Sequence, residues 1–201
     1  MIISISGNIA SGKTTLASRI CSQYNYAYVP TRRNELLLLN DFYDDVPRFF
    51  LSAQSGFLLS KAIEINELHS KKRNIVIDRS IYEDVFIFAR YWMDKYKIDQ
   101  REIEVYTQLA NYVISTTPKS DVFIYCKCTP TESLKRLSER PHRIFESKYP
   151  NNFIQSLFEQ YTSFQFPQDS LLLEIDSEQC DFHDDKTIAL IMDMLNNTNK
   201  R

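Results

Sequence analysis

The sequence predicts an α/β fold, with five parallel strands in one sheet and helices on both faces. Three observations predict it. Apolar, β-branched runs alternate with amphipathic helical patterns along the whole length. The first run, Ile2, Ile3 and Ile5, leads straight into Gly-Asn-Ile-Ala-Ser-Gly-Lys-Thr at residues 7–14. Helical sequence resumes at once in Thr15-Leu16-Ala17-Ser18-Arg19-Ile20. A strand, a glycine-rich loop and a helix in that order make a phosphate-binding loop.

The strands are expected at Ile2–Ser6, Tyr26–Val29, Asn74–Asp78, Asp121–Cys126 and Leu171–Ile175. Amphipathic helical stretches run from about Pro47 to His69, Ile81 to Tyr96 and Asp99 to Thr116, the last opening with Asp99 and Glu102 at capping-box spacing. Further helices are expected over Pro130–Arg140, from Asn152 through Phe166, and over Asp184–Leu195, followed by a polar tail, Asn196–Arg201. With 201 residues and 43% hydrophobic content, residues 1–201 read as a single domain with one sizeable core.

Composition excludes several function classes. Lys plus Arg number 24 against 26 Asp plus Glu, so the chain lacks the basic excess of a protein that grips nucleic acid polymers through their phosphates. No stretch reaches membrane-spanning length, and the N-terminus reads as the first core strand rather than a leader, so no membrane partner and a cytoplasmic location are expected. Cys21, Cys126, Cys128 and Cys180 show no C-x-x-C spacing. They read as buried small apolar residues.

The loop at 7–14 implies a nucleoside triphosphate. Its backbone N–H groups converge on phosphate oxygens, and Gly7 and Gly12 let the chain curl tightly enough for that. Gly7, Asn8, Ala10, Ser11, Gly12, Lys13, Thr14 and Thr15 are therefore the expected ATP cradle, with Lys13 on the β/γ-phosphates and Thr14 on Mg²⁺. A second constellation follows the third strand, where Asp78-Arg79 lies at the carboxyl edge of the sheet, the edge that binds ligands. Asp78 can orient Mg²⁺ or its waters, and Arg79 can neutralise charge on a transferred phosphoryl group. A third is Arg136, Arg140 and Arg143 beside a polar segment. Three guanidiniums there suit a lid over about residues 140–152 that closes on triphosphate and excludes water, although Pro141 makes a continuous helix through them doubtful.

With these residues in view, the chain resembles the deoxynucleoside kinase family over nearly its whole length. Four blocks carry the resemblance: Gly7 to Thr14; Asp41-Phe42-Tyr43 running on to Pro47-Arg48 and Gln54; Asp78-Arg79-Ser80-Ile81-Tyr82-Glu83-Asp84; and Arg136 to Arg143. The resemblance implies an acceptor site in which the Gln54 amide pairs with the nucleobase edge, Tyr43 meets the deoxyribose 3′-hydroxyl, and Asp84 and Lys61 face the base. It implies that Asp181 and Phe182 cradle the donor adenine and that the protein is a homodimer, while Asn152, expected in the acceptor site, departs from the family by standing near the place where relatives have a second sugar-contacting acid.

A second departure bears directly on the chemistry. Where relatives place a catalytic glutamate after the second strand, this chain has Thr31, followed by Arg32 and Arg33. A threonine hydroxyl stays protonated near neutral pH and is no general base. Glu35, one helical turn onward, or Asp78 could take the proton instead. Alternatively Thr31 and Arg32 serve an acceptor that already carries a phosphate, as in thymidylate kinases, because Arg binds phosphate in a fork and a phosphate nucleophile needs no base. Loss of the acid also fits a kinase-shaped binding protein without catalysis. The expected partners are thus a deoxynucleoside or deoxynucleotide and ATP.

Overall fold

The computed structural model of the chain describes residues 1–31, 37–141 and 144–198. Five strands, β1 (Ile2–Ser6), β2 (Ala27–Val29), β3 (Ile75–Asp78), β4 (Val122–Lys127) and β5 (Leu171–Asp176), form one sheet in the order β2-β3-β1-β4-β5. Every pairing is parallel, and Ile5 lies opposite Asp78 and Ile124. All carboxyl ends therefore open on one edge, and each expected strand is found within about a residue of its expected ends.

Period-two alternation divides the core into two. Ile3 and Ile5 of β1 pack with Val76, Val122, Ile124 and Cys126 against helix α1 (Lys13–Tyr24) and the last helix, α9 (Asp185–Thr198). Ile2, Ile75 and Ile77 face the other way, onto Phe50, Leu58 and Ile65 of the long helix α3 (Val46–Ser70). Phe50, Leu58 and Ile65 are fully buried, each contributing roughly 1.5–3 kcal/mol of transfer free energy. The helix starts where it does because the Asp45 side chain accepts from the Arg48 N–H and Pro47 lies in the first turn, where no N–H is needed. A short helix, α2 (Leu39–Asp44), precedes it.

The stretch expected as one helix from Ile81 is three pieces: α4 (Ile81–Glu83), a π-helical turn (Asp84–Ala89) and α5 (Arg90–Lys95). The wider turn carries Asp84, Ile87 and Phe88 into the interior together. Helix α6 (Gln100–Thr116) begins as expected, but the Asp99 carboxylate accepts from the Arg101 N–H and pairs with its guanidinium, so the Asp99/Glu102 capping box does not form. Helix α7 (Pro130–Glu139) is capped by Thr129 and stops at Arg140, whose backbone is extended before Pro141. A 3₁₀ segment (Ile144–Lys148) and α8 (Phe153–Ser163) follow. No helix among the described residues is long and apolar enough to cross a membrane.

Candidate active site

At the carboxyl edge of β1 the chain turns through Gly7 at φ 140° and Gly12 at φ 87°, conformations that favour glycine. Space forbids a side chain as well. A Cβ at Gly7 would lie 2.6 Å from the Cys126 carbonyl oxygen, and one at Gly12 would lie 2.8 Å from the Phe182 ring. Asn8 holds the loop from within: its Oδ1 accepts from the Ile9 N–H at 2.8 Å, and its Nδ2 donates to the Ile154 carbonyl on α8 at 2.9 Å. Lys13 Nζ donates to the Asn8 carbonyl at 2.5 Å, folded back over the loop. Burial, partly offset by Asp78, brings the Lys13 ammonium down to about 8.

A cavity of about 350 Å³ opens in front of this loop. Ala10, Ser11, Gly12, Lys13, Thr14 and Thr15 line one side, and Arg136, Arg140, Asp181 and Phe182 line the other. The lining thus unites three stretches singled out separately in the sequence. Arg136 is fixed by Glu132 Oε1 at 2.9 Å and by the Ser177 carbonyl at 2.8 Å. Arg140 pairs with Glu146, and its Nε is buried with no acceptor among the described residues. Phe182 is buried against Gly12, while Asp181 is exposed and accepts from the His183 N–H.

Alternation along β3 turns Asp78 toward α1. There its Oδ2 accepts the Thr14 hydroxyl at 2.6 Å and the Tyr28 hydroxyl at 3.2 Å. Arg79 then adopts φ 70°, its guanidinium lying over the Phe88 ring at 3.7 Å and 3.6 Å from Asp84 Oδ1. Lys61 is buried, donates to the Arg79 carbonyl at 2.8 Å, and pairs with Asp84 Oδ2. Its burial pulls the ammonium below the ordinary lysine value, a pull that the Asp84 carboxylate opposes. Gln54, two helical turns earlier on α3, is 4% exposed, and its amide has no hydrogen bond among the described residues. That is a donor and an acceptor left for a ligand.

The remaining expected residues are placed less centrally or lie elsewhere. Tyr43 packs edge-on to Trp92 and against Tyr149. The Thr31 hydroxyl donates to the Asp78 carbonyl at 2.7 Å, so it braces the end of β3. Asn152 is exposed and forms the left-handed N-cap of α8. The buried carboxylate of that stretch is Glu146, six residues earlier, on the 3₁₀ segment. Arg32, Arg33, Glu35 and Arg143 lie outside the described residues. Thr14 and Asp78, hydroxyl and carboxylate in contact, match the sparse oxygen set that suits Mg²⁺, which takes its other ligands from phosphates and water. Accordingly no group of three or more His, Cys, Asp or Glu side chains gathers among the described residues.

Sequence reasoning missed three partners. Tyr28 and Ser177 carry no motif. Glu83 did have a local signal, since Ser80-Ile81-Tyr82-Glu83 has capping-box spacing and both of its hydrogen bonds form.

A parallel sheet with a glycine-rich loop at its carboxyl edge, facing an Asp-Arg pair at the end of the neighbouring strand, defines the phosphate-loop class of α/β proteins. Within that class, the family model described as deoxynucleoside kinase matches residues 3–198, and the chain belongs to the deoxynucleoside kinase family. The chain is 31% identical over 165 residues to deoxyadenosine kinase of Dictyostelium discoideum, covering 81% of this chain and 65% of that protein. To the deoxyadenosine/deoxycytidine kinase of Bacillus subtilis it is 29% identical over 141 residues, covering 69% of this chain and 65% of the relative. The chain thus spans just under two thirds of the length of each. Deoxyadenosine kinase of M. mycoides, solved with bound dATP, superposes with a TM-score of 0.82 at 25% identity, covering 98% of this chain and 100% of that one.

Proposed function

We propose that this protein transfers the γ-phosphoryl group of ATP to the 5′-hydroxyl of a deoxynucleoside, a purine deoxynucleoside or deoxycytidine, in nucleotide salvage. One observation carries the reading: the phosphate loop, the Asp78-Arg79 turn and the buried Lys61–Asp84 pair meet at one sheet edge, Thr14 on Asp78 and Lys61 on the Arg79 carbonyl. ATP is assigned to the cavity bounded by Lys13, Arg136, Arg140 and Phe182, with the acceptor base on Gln54 and its sugar toward Tyr43. The deoxynucleotides bound in the M. mycoides structures, dATP in one and dCTP in another, support a site of that chemistry.

Phosphoryl transfer depends mainly on position and charge. Lys13, Arg79 and Arg140 supply positive charge around the transferred group, and the buried Arg140 Nε is a donor waiting for an oxygen. Thr14 and Asp78 are assigned to Mg²⁺, which supplies charge neutralisation on the β- and γ-phosphates when bound. Asp78 Oδ1, which has no hydrogen bond among the described residues, is assigned to take the acceptor proton. The lid is assigned to about residues 140–152, within a single domain.

The position of Thr31 favours a second reading, a deoxynucleoside monophosphate kinase. Its hydroxyl donates to a backbone carbonyl and offers no base, and an acceptor phosphate needs none. One assay decides between them: ATP is offered with each deoxynucleoside and each monophosphate, and products are counted. Monophosphate products support the first reading, and diphosphates alone support the second. ATP binding without turnover on any acceptor supports a binding protein.

The partner is assigned as a second copy of this chain. Helices α3 and α6 pack together and leave Ile63 64% and Tyr112 67% exposed, with Leu59 and Val105 also exposed. Sedimentation of the Ile63→Lys/Tyr112→Asp variant as a monomer, beside a dimeric wild type, supports that assignment. A monomeric wild type overturns it.

A further inference from the structure

Glu83 is fully buried on the side of the sheet away from α1, and the site as assigned above makes no use of it. Its carboxylate collects five donors. Oε2 accepts the Ser6 hydroxyl at 2.7 Å, the Ser80 N–H at 2.8 Å and the Ser80 hydroxyl at 2.9 Å. Oε1 accepts the Tyr161 hydroxyl at 2.7 Å and the Gly7 N–H at 3.3 Å. Every donor is neutral, and every bond points into the two carboxyl oxygens.

The donors come from three elements that the chemistry has to keep in register. Ser6 and Gly7 are the last residue of β1 and the first of the phosphate loop. Ser80 follows Arg79, whose positive φ aims its guanidinium. Tyr161 belongs to α8, which also receives the Asn8 side chain on the Ile154 carbonyl. A cap of α4 needs only the Ser80 bonds. The bonds to Ser6, Gly7 and Tyr161 reach 76 to 78 residues along the chain and are superfluous to a cap.

We propose that Glu83 is a positioning residue for phosphoryl transfer, a buried carboxylate that fastens the start of the phosphate loop to the Asp78-Arg79 turn and to α8. It touches no assigned ligand position. It acts by fixing the Gly7 backbone and Arg79 relative to one another, and a misplacement of about 1 Å at such a site lowers turnover by about a hundredfold. The proposal rests on phosphoryl transfer at this site, but its test does not depend on which acceptor is used.

Glu83→Gln keeps the shape and replaces one acceptor oxygen by an NH₂ that faces donors. The variant is assayed well below its measured unfolding midpoint. Expected are a kcat about a hundredfold lower with the best acceptor, ATP affinity by calorimetry at least tenfold weaker, and acceptor affinity measured without ATP unchanged within about twofold. Tyr161→Phe removes a single donor at constant volume and decides the matter if Glu83→Gln does not fold. Its kcat is expected to fall about fivefold, with acceptor affinity unchanged and ATP affinity weakened. Wild-type kcat and ATP affinity in the folded variants, or equal weakening of donor and acceptor, would overturn the proposal. Failure of the wild type to phosphorylate any acceptor would instead overturn the assigned function, leaving the ATP-affinity comparison to judge Glu83.

Discussion

The Thr14 hydroxyl donates to Asp78 Oδ2 at 2.6 Å, joining the first turn of α1 to the last residue of β3 across 64 positions of sequence. The bond exists because alternation along β3 turns Asp78 toward α1, in register with Ile5 of β1. It brings the assigned metal ligands into contact before any nucleotide arrives.

Asp78→Asn keeps an oxygen for the Thr14 and Tyr28 hydroxyls but removes the charge. Turnover is expected to fall at least about a hundredfold, with the KM of the acceptor within about threefold. Steady-state kinetics at saturating ATP measure both, and a wild-type kcat would remove Asp78 from the chemistry.

The pH dependence follows from Lys13. Its folded value, about 8, lies below the ordinary 10.5, so the ammonium is half charged near pH 8, gains its full charge below and loses its proton above. Donor phosphates need that charge, so KM for ATP should be flat below about pH 8 and rise above it. Stability runs the other way. The charged, buried ammonium weakens the donor-free fold below pH 8, and that weakness is lifted progressively between about 8 and 10.5. Unfolding midpoints of wild type and Lys13→Met should therefore converge as pH rises, while Lys13→Met transfers no phosphate at any pH.

Gly12→Ala places a methyl group at φ 87° and 2.8 Å from the Phe182 ring. The left-handed conformation alone costs about 1–2 kcal/mol for a residue with a Cβ. Urea unfolding should show at least that loss. Titration with ATP should show affinity reduced tenfold or more, because Phe182 has to leave the cavity wall.

Lys61→Met leaves the buried Asp84, among the described residues, with the 3.6 Å contact to Arg79. Breaking a buried pair in this way costs about 3–5 kcal/mol, and the remaining Arg79 contact places the expected loss at the low end. The double variant Lys61→Met/Asp84→Asn should recover part of it, because the buried carboxylate charge left by the single variant is then removed. If the single variant unfolds at the same urea concentration as wild type, the Lys61–Asp84 pair contributes nothing to stability.

Much of the proposed site was visible in residues 7–14, because a glycine-rich loop is a local object. Its glycines, lysine and hydroxyl lie close together in sequence, and a strand and helix flank it. The same locality made the strands legible, since alternation and β-branching are properties of short windows. Where a local rule had competitors it misled: Asp99 met the capping-box spacing, but its carboxylate accepts from the Arg101 N–H and pairs with the Arg101 side chain. The Ile81 stretch kept helical periodicity, yet packing made its middle a π turn.

By itself, then, the sequence determined the parallel sheet, the glycine-rich loop, the Asp78-Arg79 edge and the positions of Arg136 and Arg140, all features set by spacing along the chain. Only tertiary structure decided that Arg140 pairs with Glu146, that Thr31 braces a carbonyl, and that Glu83 rather than a surface cap lies beneath the loop. The physical reason is that a buried charge or hydroxyl must find partners wherever the fold puts them. Thr31 finds its carbonyl 47 residues away, and Glu83 finds Ser6, Gly7 and Tyr161 at 76 to 78 residues, where no periodicity points to them.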